Sequence, residues 1–282
     1  MSFTSRLSRL TATCLFALAL TACDDAAAPA EQTTAPSAAA PAASATADKP
    51  NFTVFSQPAY PPFSIRDVHG EMAGLDIDLL KAIAEVEDFT VTFLPHDLKG
   101  ILDTLETGQA DIVSGVHITA ENQAGFDFSQ PYLESNYIAM TNGKIKSFNE
   151  LQGKSIAVKQ GGASEAQLKA DGITDKIIST PSLYLAVSEL KQGNAVAVYD
   201  VHVSLNTYLK ENPGYHSTVD DKVGKISFGF AMVKENGILK SKLDKGLNTI
   251  RANGTYQQII DKWSGYTYGH NNAQSPAPAL SK

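Results

Sequence analysis

Apolar positions along the chain alternate between two spacings. "FTVF" (52–55), "FTVTFLP" (89–95) and "ADIVSG" (110–115) are short runs rich in β-branched and aromatic residues, the composition of strands. Between the first two, "LDIDLLKAIAEV" (75–86) places Leu75, Leu79, Ile83 and Val86 on one helical face. Asp76 and Asp78 stand in its first turn, where acids complement the helix dipole. "KGILDTLETG" (99–108) predicts a second helix that ends at Gly108. The alternation then resumes. Strands are expected in "LQGKSIAVKQGG" (151–162), "KIIST" (176–180), "AVAVYD" (195–200) and "KISFGFAMV" (225–233), with helices in "SEAQLKA" (164–170) and "SLYLAVSELKQG" (182–193). Two helical segments close the body, and Tyr256, Ile259, Ile260 and Trp263 share a face in the last. Two βα clusters of this kind predict an α/β body of two lobes built on mainly parallel sheets.

The ends of the chain have a different composition. Arg6 and Arg9 precede a mostly apolar run, Thr11 to Ala22, which is shorter than the ~20 residues of a spanning helix. That is the pattern of an export signal. "Leu20-Thr21-Ala22-Cys23" resembles the lipobox of bacterial lipoproteins, in which the cysteine carries lipid, so 1–22 is expected to be a signal peptide and Cys23 the lipidated first residue. Cys14 would leave with the signal, and the mature chain would have neither free thiol nor disulfide. Residues 23–50 are largely Ala, Pro, Ser and Thr, which cannot bury enough apolar surface to offset ordering entropy, so they are expected to be a disordered tether. Residues 266–282 are expected to form a flexible tail.

Charge and motifs narrow the function. The chain has 23 basic and 30 acidic residues, net −7, with no strongly basic window, which argues against a nucleic-acid partner. "GKS" at Gly153–Ser155 lacks a P-loop because Phe148 stands where its first glycine belongs. There is no GxSxG nucleophile elbow, and the six histidines show no metal-ligand spacing. No cofactor is expected.

"AYPPFSIRDVHGEMAGLDIDLLKAIA", "LETGQADIVSGVHIT", "FDFSQPYLES" and "GFAMVKENGILKSKLDKGLNTIRANGTYQQIIDKWSG" occur in this order. Together they resemble the bacterial extracellular solute-binding proteins of family 3, which serve polar amino-acid ABC importers. The resemblance covers about Asn51 to Gly265. It implies a two-lobed periplasmic-binding-protein fold with lobe one at 51–139 and 230–265 and lobe two at 142–227. Two strands would cross near 136–142 and 228–233, and the ligand would sit in a cleft that closes by hinge motion. The partner implied is a membrane ABC permease, met by a lipid-anchored monomer on the periplasmic face of the envelope.

The resemblance also assigns contact positions. Tyr60 corresponds to an aromatic lid. Gln57 falls where many members carry an acid, and Leu98 where some stack an aromatic ring. Ser114, Gly115, Val116, His117 and Thr119 form a ligand-holding strand-to-helix loop. Gly161, Gly162, Ala163 and Ser164 form a second-lobe loop whose amides face a carboxylate. Lys159 and Tyr199 flank the side-chain pocket, and Asp200 pairs the ligand's ammonium. At Asn122, in "ITAEN", most amino-acid-binding members have an arginine that grips the α-carboxylate. Three readings follow. The ligand is an amine-bearing solute whose anion is met by Lys159 or His117, or it lacks an α-carboxylate, or the protein has become a partner-binding lipoprotein. A fourth, an enzyme like the cyclohexadienyl dehydratases of the same fold, wants a cationic clamp this chain lacks.

Overall fold

A computed structural model describes residues 49–266. The signal, Cys23, nearly all of the tether and almost all of the tail lie outside the described residues. In chain order the strands are β1 (Asn51–Ser56), β2 (Ala59–Tyr60), β3 (Ser64–Arg66), β4 (Met72–Ala73), β5 (Thr90–Pro95), β6 (Ile112–His117), β7 (Phe126–Phe128) and β8 (Leu133–Ser135), then β9 (Tyr137–Thr141), β10 (Ile156–Lys159), β11 (Ile177–Thr180), β12 (Ala197–Val201), β13 (His216–Val219) and β14 (Ile226–Val233). The helices are α1 (Leu75–Val86), α2 (Asp103–Glu106), α3 (Ala120–Gly125), α4 (Ala163–Asp171), α5 (Leu183–Gln192), α6 (His202–Leu209), α7 (Gly237–Ala252) and α8 (Thr255–Ser264).

The strands form two main sheets. The first runs β5-β1-β6-β14-β7, with β8 also on β14; the second runs β11-β10-β12-β9-β13. Each is mixed rather than mainly parallel. In the first, β1 is parallel to β5 and β6, while β14 is antiparallel to β6, β7 and β8. In the second, β10 is parallel to β11 and β12, while β9 is antiparallel to β12 and β13. The antiparallel strands are those the chain uses to leave and re-enter a lobe without a helical crossover.

The chain passes from the first sheet to the second at Asn136, between β8 and β9, and returns over 220–225, between β13 and β14. All of β9 pairs in the second sheet and all of β14 in the first, so the passages lie in short connectors. The expected lobe limits of 139/142 and 227/230 fall inside strands instead. Those limits come from the resemblance, which places two crossing strands without saying which sheet each one pairs in.

Helix α1 buries Leu75, Leu79, Leu80 and Ile83 against the first sheet and against Leu243, Leu247 and Ile250 of α7. Val86, expected on that face, is 38% exposed because the helix ends there. In the second lobe α5 buries Leu183, Ala186, Val187 and Leu190, and the Ser182 hydroxyl caps it by accepting from the Leu185 N–H. The helix expected over 99–108 shrinks to a single turn at 103–106, because Gly100 adopts φ +77°, outside the right-handed helical region. No helix among the described residues is long and apolar enough to cross a membrane.

Candidate functional site

Two pairs of parallel strands, β1 with β6 and β10 with β12, bring their C-terminal ends to one cavity of about 650 Å³ between the two sheets. Gln57 follows β1, Gly115 to His117 end β6, Lys159 is the last residue of β10, and Asp200 is next to last in β12. The carboxyl ends of parallel strands, where the chain turns away from the sheet, are where open α/β sheets bind ligands. The volume suits a small molecule.

Contacts across the cavity join the two lobes. The Tyr60 hydroxyl donates to Asp200 Oδ1 at 3.3 Å. Lys159 Nζ donates to Gln57 Oε1 and lies 3.6 Å from the centre of the Tyr60 ring. The Leu98 side chain packs against Gly162 so closely that a Cβ there would meet it at 2.9 Å. Beneath the site runs an aromatic ladder. Tyr60 stacks on Phe63 at 5.0 Å, Phe63 on Phe228 at 4.4 Å, and His117 meets Phe228 edge-on at 4.6 Å.

The charges of the site are few and buried. Asp200 is 1% exposed, and its Oδ1 also accepts from Ser164 Oγ at 3.3 Å and from the Val201 N–H at 2.7 Å. Burial raises its pKa, opposed by Lys159 and these donors. Lys159 is 7% exposed; burial pulls its pKa down to about 8, and Asp200 pulls it back up. His117 is pushed down to about 3 by burial and by Lys159, so it is neutral at ordinary pH, with Nδ1 bonded to the Tyr137 hydroxyl at 3.1 Å. His117 therefore brings no charge to an anion, and Lys159 is the buried cation of the site.

Most of the expected residues line this cavity: Gln57, Tyr60, Leu98, Gly115, Val116, His117, Thr119, Asn122, Lys159, Gly161, Gly162, Ala163, Ser164 and Asp200. Two do not. Ser114 is fully buried behind the loop, sharing a hydrogen bond of 2.7 Å with Ser56. Tyr199 is fully buried in the second lobe, where its hydroxyl donates to Asp220. Strand alternation explains both: neighbours of a cavity-facing residue point to the opposite face. Asn122 lines the cavity, but its side-chain amide donates to the His117 carbonyl at 2.9 Å and its backbone N–H caps onto Thr119 Oγ1, so it braces the loop.

Tyr137 and Glu165 are among the cavity residues that went unread in the sequence. Tyr137 reaches the cavity from the first residue of β9. Glu165 accepts from the Gly161 N–H at 2.6 Å, from Ser179 Oγ and from Lys169 Nζ, so a carboxylate of the chain already holds one amide expected to face a ligand. Its signal was legible: a glutamate at the third helical position commonly reaches back to amides before the helix. Among the described residues no group of three or more His, Cys, Asp or Glu side chains is placed to hold a metal.

Two lobes of mixed sheet around a buried, oppositely charged and aromatic cleft define the class of two-lobed solute-binding proteins of the periplasmic-binding type. Within that class, the profile of "Bacterial extracellular solute-binding proteins, family 3" matches residues 52–266, and the chain belongs to that family. It is 30% identical over 223 residues to the ABC transporter arginine-binding protein 1 of Escherichia coli (strain K12), covering 77% of this chain and 91% of that protein. It is 27% identical over 235 residues to the histidine-binding periplasmic protein of the same strain, covering 78% and 90%. Among solved structures, an ancestral arginine-binding protein bound to glutamine superposes with a TM-score of 0.68 at 34% identity, covering 76% of this chain and 98% of that one.

Proposed function

We propose that this protein captures a small amino compound for an ABC importer, from a lipid anchor at Cys23 on the periplasmic face of the envelope. Cleavage after residue 22 would expose Cys23, and 23–50 would tether the body to the membrane within reach of a permease. The observation that carries the reading is the buried pair of opposite charges across one cavity. The three donors on Asp200 all take Oδ1, which leaves Oδ2 for a ligand's ammonium. Lys159 supplies the positive charge that Asn122 does not, and so meets the ligand's anion. Removing one partner of a buried charge-assisted contact costs ~2–5 kcal/mol, which makes these two residues the strongest polar contributors to affinity.

A thermal-shift screen on the purified protein tests this. The panel is the common L-amino acids, cystine, small peptides, amines and opines. A ligand at ~100 times its Kd adds ~2.7 kcal/mol, or roughly 5–10 °C for a body of this size. A shift with at least one amino compound is expected, and a flat response to the whole panel would refute the reading. One observation favours a rival, a lipoprotein that docks a partner instead: Glu165 occupies the Gly161 amide. That rival predicts the flat response. Anchoring is tested separately, since Cys23→Ser should move the protein from the membrane fraction to the soluble envelope fraction.

A further inference from the structure

Tyr60 has two ring faces. One is stacked on Phe63, with ring centres 5.0 Å apart. The other bears the Lys159 ammonium, 3.6 Å from the ring centre, well inside the ~6 Å over which a cation and a π face attract. We infer that Lys159 is the specificity determinant of the cleft. Its ammonium occupies the seat on Tyr60 that a ligand's cationic side chain would take, so the cleft receives amino compounds whose side chain is neutral or acidic and rejects basic ones. The inference rests on the proposal that the cleft binds an amino compound.

Hydrogen bonds hold the ammonium in that seat. Gln57 Nε2 donates to the Gly115 carbonyl at 3.2 Å, and this fixes which end of the amide faces the cavity. Oε1 is thereby turned to Lys159 Nζ and accepts from it. Because residue 57 is a neutral amide, it orients the ammonium without cancelling its charge. The other charges nearby do not cancel it either. Asp200 favours the charged lysine through space, but in the proposed complex its remaining oxygen, Oδ2, is taken by the ligand's ammonium. Glu165 is bound to Lys169, Ser179 and the Gly161 amide.

A guanidinium or ammonium entering this pocket would find the available aromatic face filled and a like charge within a few ångströms, in a site where water does little screening. An amide or carboxylate would find a donor. Removing the lysine charge while keeping its length should therefore open the seat to a cation.

The test is isothermal titration of wild type, Lys159→Met and Lys159→Gln with arginine, glutamine and glutamate. Unliganded melting curves show whether each variant folds, and methionine fills nearly the volume of the lysine stem. Wild type is expected to bind glutamine or glutamate at least tenfold more tightly than arginine. Both variants should shift the arginine-to-glutamine affinity ratio toward arginine by tenfold or more. Wild type that prefers arginine, or folded variants whose ratio is unchanged, would overturn the inference while leaving the importer proposal standing. If wild type binds no member of the wider panel, the importer proposal falls. Arginine binding that appears in the variants alone would then still sustain the lysine's exclusion of cations, and silence in all three proteins would overturn that too.

Discussion

Replacing Asp200 by asparagine separates charge from shape at the centre of the cleft. The asparagine carbonyl can keep the three donors that now meet Oδ1: Tyr60 at 3.3 Å, Ser164 at 3.3 Å and the Val201 N–H at 2.7 Å. Its amide nitrogen then replaces Oδ2 and presents two N–H donors where an acceptor had faced the ammonium. The ligand loses an ionic partner and gains a like-signed dipole. Truncating one member of a buried hydrogen-bonded charge pair costs ~2–5 kcal/mol, which is a fall in affinity of roughly 30- to 4,000-fold. A second loss follows, because Asp200 is the group that holds the Lys159 ammonium charged against its burial. In the unliganded protein two effects oppose each other, since asparagine removes the burial cost of the Asp200 carboxylate but leaves the buried Lys159 without its favourable charge. Calorimetric titration with whichever amino compound gives the largest thermal shift measures the affinity, and unliganded melting measures the stability. Affinity of the variant within about threefold of wild type would refute the assignment of Asp200 to the ammonium.

Three further outcomes are expected. Asp76 is fully buried with no donor at hydrogen-bond geometry on either oxygen, and burial raises its pKa to about 7 against the pull of the nearby Tyr132 and Ser114 hydroxyls and Gly115 amide. The folded state therefore keeps a proton that the unfolded chain releases near pH 4, so stability falls as pH rises from about 4 to 7, by on the order of 4 kcal/mol. Urea unfolding across that range should show the decline in wild type and a much flatter curve in Asp76→Asn; equal slopes would contradict it. The variant should retain a residual slope from Asp171, which burial and the adjacent Asp220 raise to about 6. Gly74→Ala should destabilise by about 2–6 kcal/mol, because φ is +144° there and a Cβ would lie 2.1 Å from the Phe63 carbonyl oxygen, combining strain and overpacking; an unchanged melting temperature would refute this. Ligand affinity should hold steady below about pH 8 and weaken above it as Lys159 loses its proton, and titrations between pH ~6.5 and ~9 showing flat affinity would exclude Lys159 as the anion's partner.

Much of the architecture could be read from apolar spacing. The helices at 75–86 and 183–192 lie where the 3.6-residue pattern put them because each has one apolar stripe to bury, and the helix at 163–171, which buries only Leu168 among its apolar side chains of size, is marked by the glycines at its two ends. The short strands β7, β8 and β13 were not legible, since three or four residues carry too little periodicity. The mixed character of the sheets was hidden for another reason: strand direction depends on which neighbour pairs, and apolar pattern is blind to that. Site residues at the ends of β1, β10 and β12 came from the resemblance, and the structure gathers Gln57, Lys159 and Asp200 around one cavity. Ser114 and Tyr199 lie off the cavity because a motif names neighbours together while the pleat sends them to opposite faces. The engagement of Lys159 with Tyr60 was illegible, as it joins residues from different lobes.

The second sheet is built from one continuous stretch, 137–219, set into a first sheet whose β6 must pair with β14. During synthesis the second sheet can complete its hydrogen bonds while the first still lacks β14, and with it any partner for β7 and β8. The first sheet stays incomplete until β14, Ile226–Val233, has emerged. The order of strands thus works as a timer, delaying the finished cleft until β14 arrives.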